Sequence, residues 1–196
     1  TDSSVNALVT PIGTFPLVQE ENINQYAAFE ETTGELGVRW FYSESGMAYV
    51  KAARGYKPGL AQRIETLDEG VLQNPVDPEF LDSIELGWKA SFLQQSLQTN
   101  MALYMYDYQN LQVSQITPGG VITENAAEAT IQGLEMDVRW MPTASFSLMG
   151  GFAWTDASYD RYCGNDPVRE QGDPAPGCDA ENPFDFSGAT LPASPE

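Results

Sequence analysis

Seven charged residues recur at spacings that could do chemistry. Glu35 and Arg39, Glu85 and Lys89, and Glu135 and Arg139 each stand four apart, with Asp137 between the last two. Carboxylate pairs on a β scaffold can hydrolyse glycosides. The same charges could instead line a ligand's path, or pair with one another and do nothing more. A second group, Arg54, Tyr56 and Lys57, could meet an anionic ligand or stand solvated at a strand end. A third, Asp166, Glu170, Asp173, Asp179, Glu181 and Asp185, is rich in the oxygens that calcium takes, but lacks the spaced Asp/Asn-Gly pattern of a dedicated calcium loop. No carboxylate carries a catalytic motif, no Gly-rich phosphate loop is present, and the chain has no histidine. Neither an enzyme nor a resident metal or cofactor is expected.

Cys163 and Cys178 flank a polar segment rich in Gly, Pro and Asp. Without histidine they make a poor zinc site. A loop-closing disulfide is the better reading, and it implies an oxidising compartment.

The elements that carry the charges read as strands. Ile84, Leu86, Trp88, Ala90 and Phe92 alternate with Ser83, Glu85, Gly87, Lys89 and Ser91. Leu134, Met136, Val138 and Trp140 alternate in the same way with Glu135, Asp137 and Arg139, and Leu36, Val38, Trp40 and Tyr42 with Glu35, Gly37, Arg39 and Phe41. A four-residue charge spacing suits a helical ion pair, but apolar residues at every second position would wrap a helix on all sides. Side chains with period two belong to strands wet on one face and apolar on the other. Charges four apart on a strand are about 13 Å apart at a rise of about 3.3 Å per residue, so they must seek partners on neighbouring strands.

Taken in order, residues 1–19 read as loop and Gln25 to Phe29 as extended. Ser43-Glu44-Ser45-Gly46 is a tight-turn signature between two strands. Leu60 to Phe80 reads as a long loop with one helical turn around Ala61 to Leu67. Strands then follow from Leu81 to Phe92, Gln98 to Val113, Ile131 to Met141 and Ser145 to Tyr159, with a longer loop from Pro118 to Ala127. On the Asn100 to Asn110 strand, Met101, Leu103 and Met105 are assigned outward and Tyr104, Tyr106 and Tyr108 inward. Short and long connections alternate, as in an up-and-down antiparallel sheet with one plain rim and one elaborated rim. The strands reach about 10 residues, enough to cross a bilayer at a tilt. Aromatics cluster near strand ends, which suits either membrane-interface girdles or the core of a sandwich.

The chain has 196 residues and a net charge of −19, which argues against nucleic acid. No run approaches the ~18 apolar residues of a membrane-spanning helix, a fact silent about β-barrels. No signal peptide is read at Thr1 to Asn6.

The residues Ile84-Glu85-Leu86-Gly87-Trp88-Lys89, Met101-Ala102-Leu103-Tyr104 and Tyr106-Asp107-Tyr108-Gln109-Asn110-Leu111-Gln112-Val113 resemble the β-barrel domain of TonB-dependent outer-membrane receptors. Gly133-Leu134-Glu135-Met136-Asp137 and Phe152-Ala153-Trp154-Thr155-Asp156-Ala157 are similar to that family's next two strands. Ala53-Arg54-Gly55-Tyr56-Lys57-Pro58-Gly59 is similar to the end of an outward-running strand, and Gly188 to Pro195 to the start of a descending one. The resemblance implies an all-β, antiparallel up-and-down transmembrane β-barrel, of which residues 1–196 supply about seven strands out of about 22. It also implies a plug domain absent from this chain. The implied function is import of a scarce nutrient, such as a ferric siderophore, across a Gram-negative outer membrane. TonB would power it through the missing N-terminal plug region. On this resemblance Glu35, Arg39, Glu85, Lys89, Glu135, Asp137 and Arg139 face the lumen, while Arg54, Tyr56 and Lys57 could touch ligand or loop. The family pattern also places an external loop and a further strand between Glu44 and Tyr49, where Gly46 here follows at once. The competing reading is a soluble β-sandwich that binds carbohydrate or acts as an adhesin, whose apolar face would meet a second sheet.

Overall fold

Period-two alternation in the sequence becomes one sheet of long antiparallel strands. The structure, a computed structural model, describes residues 7–10, 13–16, 28–61, 63–65, 70–72, 75–117, 120–166, 169, 172–180 and 182–192. Two short strands, β1 (Ala7–Thr10) and β2 (Gly13–Pro16), pair as a hairpin within the stretch expected to be loop. The main sheet is built from β3 (Gly34–Ser43), β4 (Gly46–Lys57), β7 (Glu79–Phe92), β8 (Leu97–Thr117), β9 (Gly120–Thr143) and β10 (Phe146–Gly164), with the two-residue β11 (Phe184–Asp185) at its edge. Between β4 and β7 lie β5 (Arg63–Glu65) and β6 (Gly70–Leu72), which pair with each other.

Every long strand neighbours the next in sequence, apart from the β5–β6 excursion, so the topology is up-and-down. The register carries each face coherently across the sheet. Val38, Val50, Leu86, Leu103, Leu134 and Trp154 form one row on one face. One residue along, Gly37, Lys51, Glu85, Tyr104, Gly133 and Thr155 form the adjacent row on the other face. A one-residue slip anywhere would exchange the two sets, so the pattern and the register enforce each other. The expected orientation on β8 holds: Leu103 lies in the apolar row, Tyr104 in the polar one.

Among the described residues the apolar face has no second layer. Leu36 is 76 % exposed, Leu86 55 % and Phe152 54 %. A sandwich would bury such residues at full depth, so the soluble alternative loses its main requirement. Ribbons that present apolar rows outward and polar rows inward are the arc of a transmembrane barrel.

Several sequence expectations are corrected. The stretch from Ala61 to Leu67, read as a helical turn, contains β5 instead; Ile64 opposes Val71, and β-branched residues suit an extended pair. A Leu60–Val76 bridge closes the base of that excursion. Pro118 to Ala127 is no open loop, since β9 starts at Gly120, and β8 and β9 continue pairing out to Thr117↔Gly120. The β-branched run Val121, Ile122 and Thr123 sustains that ribbon. No strand is missing between Glu44 and Tyr49: β3 and β4 pair directly from Gly34↔Arg54 to Ser43↔Gly46. Of the segment Gln25 to Phe29, residues 25–27 lie outside the described residues, and Ala28 and Phe29 belong to no strand. The last described residues run back along β10 through a Ser158↔Thr190 antiparallel bridge, as a descending strand would begin.

Candidate functional site: the polar face and the long-connection rim

The polar face brings all seven expected charges to one side. Along β3, Glu35 and Arg39 share the face with Gly37; on β7 Glu85 and Lys89, and on β9 Glu135, Asp137 and Arg139, do the same. Among the described residues, Glu85 is the one of these seven that finds an ionic partner on a neighbouring strand. Lys51 Nζ lies 3.1 Å from its Oε2, and Tyr49 donates its hydroxyl to Oε1 at 2.6 Å. Arg39, Lys89 and Arg139 make no ion pair among the described residues. Lys89 stands 6.0 Å over the Tyr49 ring. Tyr49 and Lys51 escaped the sequence reading because their relation to Glu85 is set by cross-strand register, which spacing along one strand does not contain.

Two tyrosines lie flat on this face. A Cβ placed on Gly87 would collide with the Tyr49 ring, and one on Gly133 with the Tyr104 ring and hydroxyl. Each ring thus covers a glycine on the next strand, and its hydroxyl reaches past to a polar partner: Glu85 for Tyr49, Thr155 Oγ1 at 2.9 Å for Tyr104. Tyr106 stacks on Tyr104 at 5.0 Å.

Arg54, Tyr56 and Lys57 do not share a face. Arg54 and Tyr56 fall on the apolar side and Lys57 on the polar side. Arg54 Nε pairs with Asp82 at 3.4 Å while its guanidinium covers Phe80 at 5.0 Å; Lys57 faces Glu79 at 3.8 Å. At the opposite, short-turn end of the apolar face, Trp88 Nε1 donates to the Tyr42 hydroxyl at 2.8 Å and Trp40 meets Tyr42 edge-on at 5.8 Å. These rings form a belt where the apolar rows end.

The rim with long connections is built as a tier of its own. Beyond Tyr108 the β8–β9 ribbon projects from the sheet, with a register shift at Tyr108/Leu111 and Asn110 in the left-handed region at φ 54°. Ala127, Ala129 and Tyr159 are buried there beneath Tyr108, Leu111, Val113, Tyr162 and Leu191. Cys163 and Cys178 are bonded at S–S 2.08 Å. The acids of the candidate calcium loop are dispersed rather than gathered. Asp166 faces Arg169, Asp179 accepts from the Asn182 amide, and Asp185 accepts from Ser187, whose hydroxyl first and backbone amide second hold its carboxyl below the usual range. Glu170 and Glu181 lie outside the described residues, and among the described residues no three acids or cysteines converge on a metal position.

A family model described as "TonB dependent receptor-like, beta-barrel" matches residues 12–195. The chain is 34 % identical over 86 residues to the ferric-pyoverdine 358 receptor of Pseudomonas putida, covering 41 % of this chain and 10 % of that protein. It is 25 % identical over 130 residues to the probable TonB-dependent siderophore receptor PiuA of Acinetobacter baumannii, covering 64 % of this chain and 17 % of that one. The crystal structure of the ferric yersiniabactin uptake receptor FyuA from Yersinia pestis superposes with a TM-score of 0.54 at 20 % identity, over 65 % of this chain and 18 % of that one. At that identity the superposition speaks to fold. The chain thus spans between a tenth and a fifth of the length of these relatives.

Proposed function

Since this chain belongs to the TonB-dependent receptor β-barrel family, we propose that it forms one arc of an outer-membrane receptor importing a ferric siderophore or similar iron complex. The observation that carries this reading is the agreement between a family match over residues 12–195 and a sheet whose apolar rows face outward unburied. The siderophore-receptor names of the two similar proteins support the choice of cargo. The rest of a barrel of about 22 strands would close the arc, and Glu35, Arg39, Glu85, Lys89, Glu135, Asp137 and Arg139 would line its lumen. Arg39, Lys89 and Arg139, unpaired on the wall, are suited to meet a plug domain, through which the TonB complex would supply energy. The short turns face the periplasm and the long connections the exterior, where a disulfide is in keeping with the oxidising side. In this role the chain transports rather than catalyses. Growth of a receptor-deleted Gram-negative strain on a panel of iron chelates, with and without the intact gene, tests the proposal. Rescue on one chelate or a related set is expected. Equal growth with and without the gene on every chelate and on other scarce nutrients would overturn it.

A further inference from the structure

The β8–β9 ribbon is gripped from both sides beyond the sheet. On one side Gln112 donates its backbone amide to Glu79 Oε2 at 2.9 Å and its side-chain amide to the Pro58 and Asp77 carbonyls at 3.0 and 3.1 Å. Asn125 completes that joint by accepting from the Asp77 amide at 2.7 Å while donating to the Asp77 and Asn110 carbonyls. On the other side Gln115, only 7 % exposed, donates to Glu124 at 3.1 Å and to Asn182 at 2.9 Å, and accepts from the Asn165 amide at 3.1 Å. The first joint ties down the β4–β7 connection; the second ties down the disulfide-closed segment after β10.

An isolated two-stranded ribbon is marginal in water. Each joint therefore supports the ribbon that the other joint needs. Each joint also holds one buried carbonyl oxygen with no donor among the described residues, Gln112 Oε1 in the first and Asn165 Oδ1 in the second. A buried acceptor left unmatched makes its surroundings cheaper to open than a fully bonded joint.

We propose that the ribbon and the described residues clasped to it, Pro58 and 75–79 on one side and Asn165 and 182–191 on the other, form a single cooperative latch at the barrel mouth, which orders and opens as one unit rather than as independent segments. Releasing either joint frees the ribbon and so loosens the other. The latch needs no particular cargo, and its test is independent of the transported molecule.

The experiment is hydrogen exchange by mass spectrometry on the full-length receptor in detergent, reading peptides across residues 75–79, 111–117 and 182–191. Gln115→Leu removes only the second joint. Exchange is expected to rise about tenfold in all three peptides, including residues 75–79, which Gln115 does not touch, while peptides within 84–90 and 148–154 stay protected. A rise confined to residues 111–117 and 182–191, or no rise, would overturn the latch. Should Gln115→Leu fail to assemble, Asn182→Ala removes the side chain to which Gln115 donates and is read by the same peptides. Unchanged exchange at 75–79 would again overturn it.

Discussion

Glu85 is the residue on which the polar wall closes. It accepts from Tyr49 and pairs with Lys51, so removing its carboxylate strands a phenol and an ammonium together. Hydrogen bonds to a charged group are worth about 1.5–3 kcal/mol each way of losing them. Glu85→Ala is expected to destabilise the assembled barrel by about that much in a urea titration, and Lys51→Met in the same background should add little. Full additivity of the two would show that the pair does not interact. Tyr162 tests the external tier instead. Burial pushes its phenol up, with Tyr159 and Glu124 adding to the shift. Both folded and unfolded forms hold the proton at neutral pH, so nothing is lost there. Above the ordinary tyrosine value the unfolded chain ionises first, and stability falls as pH rises toward the folded value. Absorbance at 295 nm should show a late-titrating phenol that vanishes in Tyr162→Phe; an unchanged titration curve would contradict its burial.

At the level of the strand, the sequence declared most of what matters. Two-residue alternation over 84–92 and 134–140 fixed which side chains share a face, and the register then could not slip. Where the alternation weakens, reading failed. The ribbon beyond Val113 mixes polar and apolar residues on both sides, with Ile116 and Val121 on one and Gln115 and Ile122 on the other, so its continuation carries no clean alternation. The cross-strand partners of Glu85, and the amide clasps of Gln112, Gln115 and Asn125, depend on contacts remote in the chain, which local spacing does not encode. On the outer face of β7 the apolar stretch runs from Phe92 to Ile84 and stops at Asp82. Eight steps of about 3.3 Å give about 26 Å along the strand, or about 20 Å across a membrane at a tilt of about 40°. Val138 lies within that band, level with Ala90, so Val138→Arg should cost at most the midplane value of about 2–4 kcal/mol in the full barrel; a negligible shift in the folding midpoint would move the band elsewhere. Gly133→Val should be worse tolerated than Gly87→Val. Both meet a tyrosine ring, and at Gly133 the rigid backbone carbonyl of Trp154 stands close as well. Overpacking of this kind costs about 1–3 kcal/mol, and heat-modifiable migration on a gel would rank the two.

As a whole the described residues form a sheet with two lightly covered margins. Among them β3 pairs only with β4, and the far side of β10 carries the short β11, a single bridge and backbone hydrogen bonds to Phe186, Gly188, Ala189 and Leu191. Long unpaired margins invite association. Expressed alone in detergent, the chain is expected to yield oligomers rather than a protease-resistant monomer, and a stable monomer would mean that these margins close on each other. The charge of −19 is unevenly spread: the polar face balances acids with Arg39, Lys51, Lys89 and Arg139, while the segment 156–185 is mostly acidic.

Tyr49 and Tyr104 have a further consequence because they recline across Gly87 and Gly133 instead of standing up from the wall. Two bulky rings are thereby absorbed into the thickness of the sheet, so that a bore lined by this face, as proposed, would keep its width. A passenger moving along this side would brush the flat of a phenol rather than strike its tip.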